Sequence, residues 1–347
     1  GKSTTTGLLG SVLHAIDGSA YFTGGVLQGS NTNSAAGSGH YAVFEGDEYR
    51  AEWDDPTPKF HYLKPDVLVL TNLEHDHPDL FPTFEDMERE FELLVESLPA
   101  DGLLVYNADD VNLEKVVRKA HVPMVSFSIH GPSDFQVTEI THGQFTGFAD
   151  PTEKNPLGER YQTQLPGDLN VYNCLAVVTA LRSLGFQYNQ LALEIAAFRG
   201  IKRRFEEVGE SGGVTYVDDY AHHPTAIKET LKAAKQRYAG RRLWAVFEPH
   251  TYSRTKELLT ELATAFEDAD EVVLSHIYAA REKNLSSLIS SEEVLEQVQK
   301  HRPNAQLVEG PTQAAELLKA QVKPGDVVVV MGVGSFSRLA DSLVQTN

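Results

Sequence analysis

The chain has 347 residues, which is long enough for two domains that each bury a core. Its formal net charge of −19 argues against a nucleic acid as the main partner, although a few N–H groups, one lysine and a metal ion could still hold a nucleotide. The single cysteine excludes an internal disulfide and predicts a reducing, cytoplasmic location, and the longest apolar runs fall far short of the roughly 18 residues that span a bilayer.

The chain opens on Gly1-Lys2-Ser3-Thr4, the tail of a phosphate-binding loop of the G-x-x-x-x-G-K-[ST] type. The apolar residues that follow fall on one helical stripe, so the loop would lie at a helix N-terminus, where an anion is favoured. A plain helix start with hydroxyl capping is the alternative. Because such loops follow a strand and further glycines, we expect a fragment of a longer protein.

From residue 1 to about 125, helices and strands alternate, which is typical of a parallel α/β sheet. The predicted strand 41–44 ends on Glu45-Gly46-Asp47-Glu48, and the strand 67–70 ends on a segment that contains Asp76-His77-Pro78-Asp79. Ligands bind at the carboxyl ends of strands in open α/β sheets, so we expect both segments at one sheet edge. A solvated turn is the alternative for the first segment, whereas the second suits a hard metal ion.

The rest of the first domain combines helices with short β segments. Helices are predicted over about 83–97, 170–184 and 189–198, and the β segments of residues 125–165 are interpreted as an antiparallel extension. Asn170 and Asn173 lie on the first turn of one helix, where capping is their usual role.

A hinge is predicted over 198–213, followed by a second α/β alternation. Its predicted strands are 214–218, 243–247, 271–274, 306–309 and 327–331. The chain is therefore divided into residues 1–199 and a doubly wound domain of residues 200–347. The turn after the last strand lacks G-x-G-x-x-G spacing, so a dinucleotide site is not favoured.

The order of the motifs carries more information than any one of them. The chain contains Gly-Lys-Ser-Thr at 1–4, Glu-Gly-Asp-Glu at 45–48, Asn-Leu-Glu-His-Asp-His-Pro-Asp at 72–79, Lys-Arg-Arg-Phe at 202–205, Asp-Asp-Tyr-Ala-His-His-Pro-Thr at 218–225 and Pro-His-Thr-Tyr-Ser-Arg-Thr at 249–255. Together they resemble the Mur ligases of peptidoglycan synthesis. The resemblance implies a UDP-binding N-terminal domain, a central P-loop ATPase domain and a Rossmann-like C-terminal domain, of which this chain would contain the last two.

The resemblance also implies a reaction. It is strongest to members that join L-alanine to UDP-N-acetylmuramate, with ATP activating the sugar carboxyl as an acyl phosphate that the amine then attacks. The implied enzyme is a cytoplasmic ligase that serves cell-wall biogenesis, cell shape and cell division, with no membrane span and an undetermined oligomeric state. The fragment alone would be inactive, and the hinge would close the domains to keep water from the acyl phosphate.

The resemblance assigns roles to residues by position. Nucleotide contacts fall on Gly1, Lys2, Ser3, Thr4, Asn170, Asn173, Arg204 and Asp219. Metal contacts fall on Ser3, which would hold Mg²⁺, on Glu45, which matches the metal-binding glutamate, and on His77, which matches the histidine of a second metal site. Contacts with the transferring phosphate, its metal ions or the substrates fall on Lys2, Glu45, His77, His222, His223 and Arg254.

The chain departs from the family pattern at three points. Leu169 stands where relatives usually have a histidine, and Thr251 where some carry a second arginine. Residues 80–114 contain no lysine to match the carbamylated lysine of some siblings.

Three alternatives remain open. The segments 47–49 and 59–62 are similar to the muropeptide-recycling ligases, which add a tripeptide instead of an amino acid. A metal-dependent hydrolase could be built on His75, Asp76, His77, His222 and His223. A nucleotide-binding module without catalysis is the third.

Overall fold

The computed structural model describes residues 1–52, 54–77, 80–141, 144–149, 158–280, 282 and 285–345. The chain divides into two compact units, Gly1–Ile201 and Lys202–Asn347. Pro78, Asp79 and Arg281, which belong to sequence motifs, lie outside the described residues. Within the described part of the chain, no helix has the length and apolar character needed to cross a membrane.

The first unit contains two sheets and five helices among its described residues. Its elements are α1 (Lys2–Asp17), β1 (Ala20–Phe22), β2 (Ser34–Ala35), β3 (Ala42–Phe44), a 3-10 helix (Lys59–Tyr62), β4 (Val67–Leu70), α2 (Phe84–Glu96), β5 (Leu103–Asn107), α3 (Leu113–Val117), β6 (Met124–Ser128), β7 (Phe135–Thr141), β8 (Gln144–Ala149), β9 (Glu159–Gln162), α4 (Asp168–Ser183) and α5 (Tyr188–Ala197). One sheet has the order β2-β1-β3, and the other has the order β4-β5-β6-β7-β8-β9.

The core of this unit lies around α1 and α4. Leu8, Val12 and Leu13 of α1 are buried in one cluster with Leu175 and Val178 of α4. These residues recur at helical spacing, so burying one stripe of each helix removes their apolar side chains from water. The packing holds the first turn of α1 beside α4.

Two sequence-based expectations about this unit were wrong. Strand β3 pairs with β1 in the small sheet, whereas β4 begins the large one, so Glu45 and His77 do not follow strands of one sheet. The reason is that β1 follows α1 at once and takes β3 as its parallel partner. Strand β6 is parallel to both neighbours, so the antiparallel part consists of β7, β8 and β9.

The second unit is a six-stranded sheet between helices. Its elements are β10 (Glu206–Ser211), β11 (Val214–Asp219), α6 (Pro224–Arg237), β12 (Leu243–Phe247), α7 (Tyr252–Glu257), α8 (Leu259–Thr264), β13 (Glu271–Ser275), α9 (Ser291–Gln299), β14 (Gln306–Val308), α10 (Pro311–Gln321), β15 (Val327–Met331), a 3-10 helix (Ser335–Arg338) and α11 (Leu339–Gln345). The strand order is β10-β11-β15-β12-β13-β14, and every neighbouring pair except β10 and β11 is parallel. The five residues of β15 are fully buried, as expected for a central strand that is covered on both faces.

The hinge prediction over 198–213 was wrong for residues 206–211, which form strand β10. This strand pairs with β11 through Gly212 and Gly213, whose φ angles are 60° and 76°. A two-residue hairpin turn with both φ angles positive favours glycine at both positions. The Gly212-Gly213 pair in the sequence therefore indicated a β-hairpin at this position.

Candidate functional site

The predicted tail of a phosphate-binding loop lies at the N-terminus of α1. Gly1 is the N-cap residue, and no side chain caps the helix there. The Ser3 hydroxyl instead donates to Oε1 of Glu45 at 2.7 Å, and Ser3 is buried. The hydroxyl-capping interpretation was therefore wrong.

Glu45 accepts hydrogen bonds from residues at the end of the neighbouring parallel strand. Its Oε2 accepts the Thr23 hydroxyl at 3.1 Å and the Gly24 N–H at 2.6 Å. These residues follow β1, and Glu45 follows β3, so the pairing of the two strands brings them together. Sequence reasoning missed Thr23 and Gly24 because nothing marks which strand pairs with β3.

Glu48 links Lys2 to His77. The Lys2 ammonium donates to Oε2 of Glu48, and Oε1 of Glu48 lies 3.4 Å from Nε2 of His77. Glu48 is 9% exposed, so this carboxylate is largely removed from water. The sequence marked Glu48 only as part of an acidic turn, three residues beyond Glu45.

Glu48 and His77 form, with Asp76, a group that can hold a metal ion. One ligand atom each of Glu48, Asp76 and His77 lie within 4.8 Å of one another. Two carboxylates supply the oxygen donors that Mg²⁺ prefers, and the imidazole adds one nitrogen donor.

His77 has an unusual backbone conformation. Its φ angle is 57°, in the left-handed region that residues other than glycine rarely adopt. Its N–H donates to Oδ1 of Asp76 at 2.7 Å, and its ring lies 5.0 Å from the ring of Tyr49. Such conformations persist where the surroundings hold them, and they cluster at functional sites.

Asn170 and Asn173 meet the start of α1. The Asn173 amide donates to Oδ1 of Asn170 at 3.1 Å, and its own Oδ1 accepts the Thr5 hydroxyl at 3.1 Å. A Cβ added to Gly1 would come within 2.6 Å of that same Oδ1. The cap of α4 is Gly167, so the two asparagines are not its cap residues. Thr4, which was expected to contact nucleotide, is buried in the turn.

In the second unit, Asp219 and Arg204 lie near the carboxyl end of β11. Asp219 accepts the N–H of Phe205 at 2.6 Å and that of Ala221 at 2.7 Å. Burial raises the pKa of Asp219, and the charge of Arg204 opposes that rise. The guanidinium of Arg204 lies 4.6 Å from the ring centre of Tyr220.

His222 and Arg254 line one pocket of the second unit. The pocket also contains His250, whose Nδ1 lies 3.3 Å from Nη1 of Arg254, and the apolar Phe247 and Leu258. Arg254 is 7% exposed. A buried guanidinium beside two imidazoles is suited to binding a carboxylate or phosphate.

His223 and Thr251 have other positions. His223 is the N-cap residue of α6 and is not one of the described residues that line the pocket. Thr251 precedes α7 with a φ angle of 61°, and its N–H donates to the Tyr278 carbonyl at 2.9 Å.

Known families and proteins match the whole of this architecture. Residues 1–181 match the Mur ligase middle domain, and residues 203–334 match the Mur ligase glutamate ligase domain. A UDP-N-acetylmuramate–L-alanine ligase of Caldanaerobacter subterraneus is 33% identical over 353 residues, which is 100% of this chain and 74% of that protein. The chain belongs to the Mur ligase family.

Two solved Mur ligases have the same fold. A UDP-N-acetylmuramate–alanine ligase of Thermotoga maritima aligns with a TM-score of 0.78 at 22% identity, over 99% of this chain and 73% of that one. A murein peptide ligase of Psychrobacter arcticus aligns with a TM-score of 0.71 at 28% identity, over 99% and 74%. The family and the fold class predicted from the motifs are confirmed.

Proposed function

We propose that this Mur ligase chain acts in peptidoglycan synthesis and uses ATP to join L-alanine to the carboxyl of UDP-N-acetylmuramate through an acyl phosphate. The observation that carries the proposal is the 33% identity, over the entire chain, to a relative of that name. The contacts of Glu48 with Lys2 and His77 support the proposal, because phosphoryl transfer depends on cations and metal ligands that compensate charge. Residues 1–199 would bind ATP, and residues 200–347 would form the ligase domain.

Lys2 is proposed to neutralise the phosphates. A triphosphate at the N-terminus of α1 would meet backbone N–H groups and the positive end of the helix dipole. Lys2 pairs with Glu48 in this structure, so binding of nucleotide would exchange that carboxylate for phosphate oxygens. Gly1, Ser3 and Thr4 would complete the loop.

One metal ion is proposed to bind His77 together with Glu48 and Asp76, and Mg²⁺ is proposed to bind Ser3 and Glu45, which share a hydrogen bond. The donors fit this ion, because a hydroxyl and carboxylates are hard oxygen ligands. When bound, the ion would compensate charge on the phosphates, which together with positioning is most of the catalysis of phosphoryl transfer. Glu45 would hold the Ser3 hydroxyl in place through the contact described above.

The rest of the nucleotide is assigned to three places. Asn170 and Asn173 would bind adenine through their amides, which already form a hydrogen-bonded pair. Asp219 would bind the ribose, and Arg204 would pair with the γ-phosphate, since a guanidinium fork matches phosphate oxygens.

His222, His223 and Arg254 are proposed to contact the substrates. Arg254 would bind a carboxylate or phosphate group, because it is a buried cation in a pocket.

The recycling alternative has less support. The relatives at 33% identity are named alanine ligases, and the murein peptide ligase is 28% identical. A cytoplasmic location is proposed, since the substrates of such an enzyme and a single buried cysteine both fit a reducing compartment.

The test is ADP release by the full-length protein that contains residues 1–347. We expect release with UDP-N-acetylmuramate and L-alanine together, and not with either alone. Release only with the tripeptide would favour the recycling ligase. A sugar product formed without nucleotide would favour the hydrolase. Binding of ATP without release of ADP would favour a nucleotide-binding module.

A further inference from the structure

Arg204 stands in a strained turn. The residues on either side, Arg203 and Phe205, have φ angles of 60° and 50°. Side chains other than glycine rarely adopt this left-handed conformation, so neighbouring groups must hold it. The Arg204 side chain lies over the ring of Tyr220.

The end of β11 holds the backbone of this turn. The Tyr220 N–H donates to the Arg203 carbonyl at 2.7 Å, and the Phe205 N–H donates to Asp219 at 2.6 Å. The Arg203 N–H donates to Glu206 at 2.8 Å. These bonds lie on both sides of Arg204.

Asp218 holds the side chain of Arg203. Nε of Arg203 donates to Oδ2 of Asp218 at 3.0 Å, and Nη2 donates to the Gly332 carbonyl at 2.6 Å. Asp218 is 3% exposed, and its Oδ1 has no hydrogen-bond partner among the described residues. A buried carboxylate with an unpaired oxygen is costly, so stability alone does not account for it.

The charged groups that face Asp218 are Arg203, Asp219 on its own strand and Glu206 on β10. Burial raises the pKa of Asp218 to about 7, Arg203 lowers it, and the two acids add to the rise. The β15 residue that pairs with Asp218 is Val330, which does not titrate.

We propose that Asp218 is a positioning residue for Arg204: through its ion pair with Arg203, it fixes the turn that orients the Arg204 guanidinium. The inference rests on the proposed function, which assigns Arg204 to the nucleotide phosphates. Asp218 itself contacts no phosphate in this account. Its effect is therefore on the use of ATP and not on the use of L-alanine.

The test is the Asp218→Asn variant of the full-length protein, with Asp326→Asn as the matched control. Asp326 is also buried and also pairs with an arginine, since Nη2 of Arg242 donates to its Oδ2 at 2.6 Å. It precedes β15 and so lies at the opposite end of the strands from Asp218. We expect kcat/KM for ATP to fall about tenfold in Asp218→Asn, with an unchanged KM for L-alanine and near-normal kinetics in Asp326→Asn.

Two further measurements separate positioning from a structural role. The kcat/KM for ATP of the unmodified protein should fall as the pH drops below about 7, where Asp218 takes up a proton, and this dependence should disappear in Asp218→Asn. The double variant Arg203→Met/Asp218→Asn should have a kcat/KM for ATP no lower than that of the poorer single variant, because the two changes remove the same interaction.

The outcomes distinguish this inference from the proposed function. If Arg204→Ala leaves ATP kinetics unchanged, the phosphate role of Arg204 is wrong, and the inference falls with it. If Arg204→Ala severely lowers kcat/KM for ATP, but folded Asp218→Asn has the same kcat/KM for ATP as Asp326→Asn, only the inference is overturned. An equal loss for ATP and L-alanine in Asp218→Asn would also overturn it.

Discussion

Oε1 of Glu48 lies 3.4 Å from Nε2 of His77, which joins the turn after β3 to the segment after β4. The two strands belong to different sheets, so the contact is a product of tertiary packing. The other oxygen of Glu48 accepts a hydrogen bond from the Lys2 ammonium, and one carboxylate thus connects the proposed phosphate loop with the proposed metal site.

Replacement of Glu48 should weaken the metal site. We expect Glu48→Gln to raise the Mg²⁺ concentration for half-maximal activity by about 10- to 100-fold, because a charged oxygen donor near His77 is lost. Mn²⁺ binding followed by electron paramagnetic resonance checks this without turnover. The control is Glu90→Gln, since Glu90 also faces a histidine, at 2.7 Å from Nε2 of His61, away from the proposed ligands. Equal effects of the two variants would contradict the assignment.

Removal of Lys2 should abolish turnover. In Lys2→Ala we expect kcat to fall by at least about 100-fold, because no other group of the loop carries a full positive charge to the phosphates. Lys59→Ala is the control, since Lys59 pairs with Asp47 at 3.0 Å on the surface. A loss under tenfold in Lys2→Ala, about 1.4 kcal/mol, would mean that the loop does not bind the transferring phosphate.

The Asn170–Asn173 pair should contribute to the binding of ATP and not to the binding of inorganic triphosphate. We expect Asn173→Ala to weaken ATP binding by roughly tenfold, the worth of one or two hydrogen bonds, and to leave binding of inorganic triphosphate unchanged. Titration calorimetry with both ligands measures this. Asn112→Ala is the control, because the Asn112 amide donates to the Leu73 carbonyl at 2.7 Å and has no proposed ligand. Equal losses for both ligands would place Asn173 near the phosphates instead.

The ionisation of Asp218 should also make the free energy of unfolding depend on pH. Its pKa in the folded protein is raised from 3.8 to about 7, so the folded state binds more protons than the unfolded state between these values. The free energy of unfolding should therefore decrease as the pH rises through this range, by roughly 2 kcal/mol between pH 5 and pH 8. Urea unfolding at several pH values should show this contribution in the unmodified chain and not in Asp218→Asn. Parallel pH profiles for the two proteins would show that Asp218 titrates normally.

The sequence was informative where short apolar runs specify buried strands. The strands 67–70, 243–247 and 327–331 were predicted with the bounds that the structure has, because short apolar runs between turns favour buried strands. The helix predicted over about 83–97 also matches, with Thr83 as its N-cap in a capping box.

The pairing of strands was harder to predict. Nothing local in residues 41–44 shows that β3 joins β1 instead of β4, and that choice decides that Glu45 meets Ser3 whereas Glu48 meets His77. Strand β10 was missed for another reason. Its residues are polar and lie at a sheet edge, so hydrophobic periodicity is weak there.

The central claim is that the nucleotide is consumed only to join L-alanine to the sugar carboxyl. The most direct measurement is mass spectrometry of the products formed by the full-length protein from ATP, Mg²⁺, UDP-N-acetylmuramate and L-alanine. We expect one equivalent each of ADP, phosphate and an amide-linked UDP-sugar–alanine, all absent when ATP is omitted. Formation of the amide without ATP, or incorporation of the tripeptide and not of L-alanine, would contradict it.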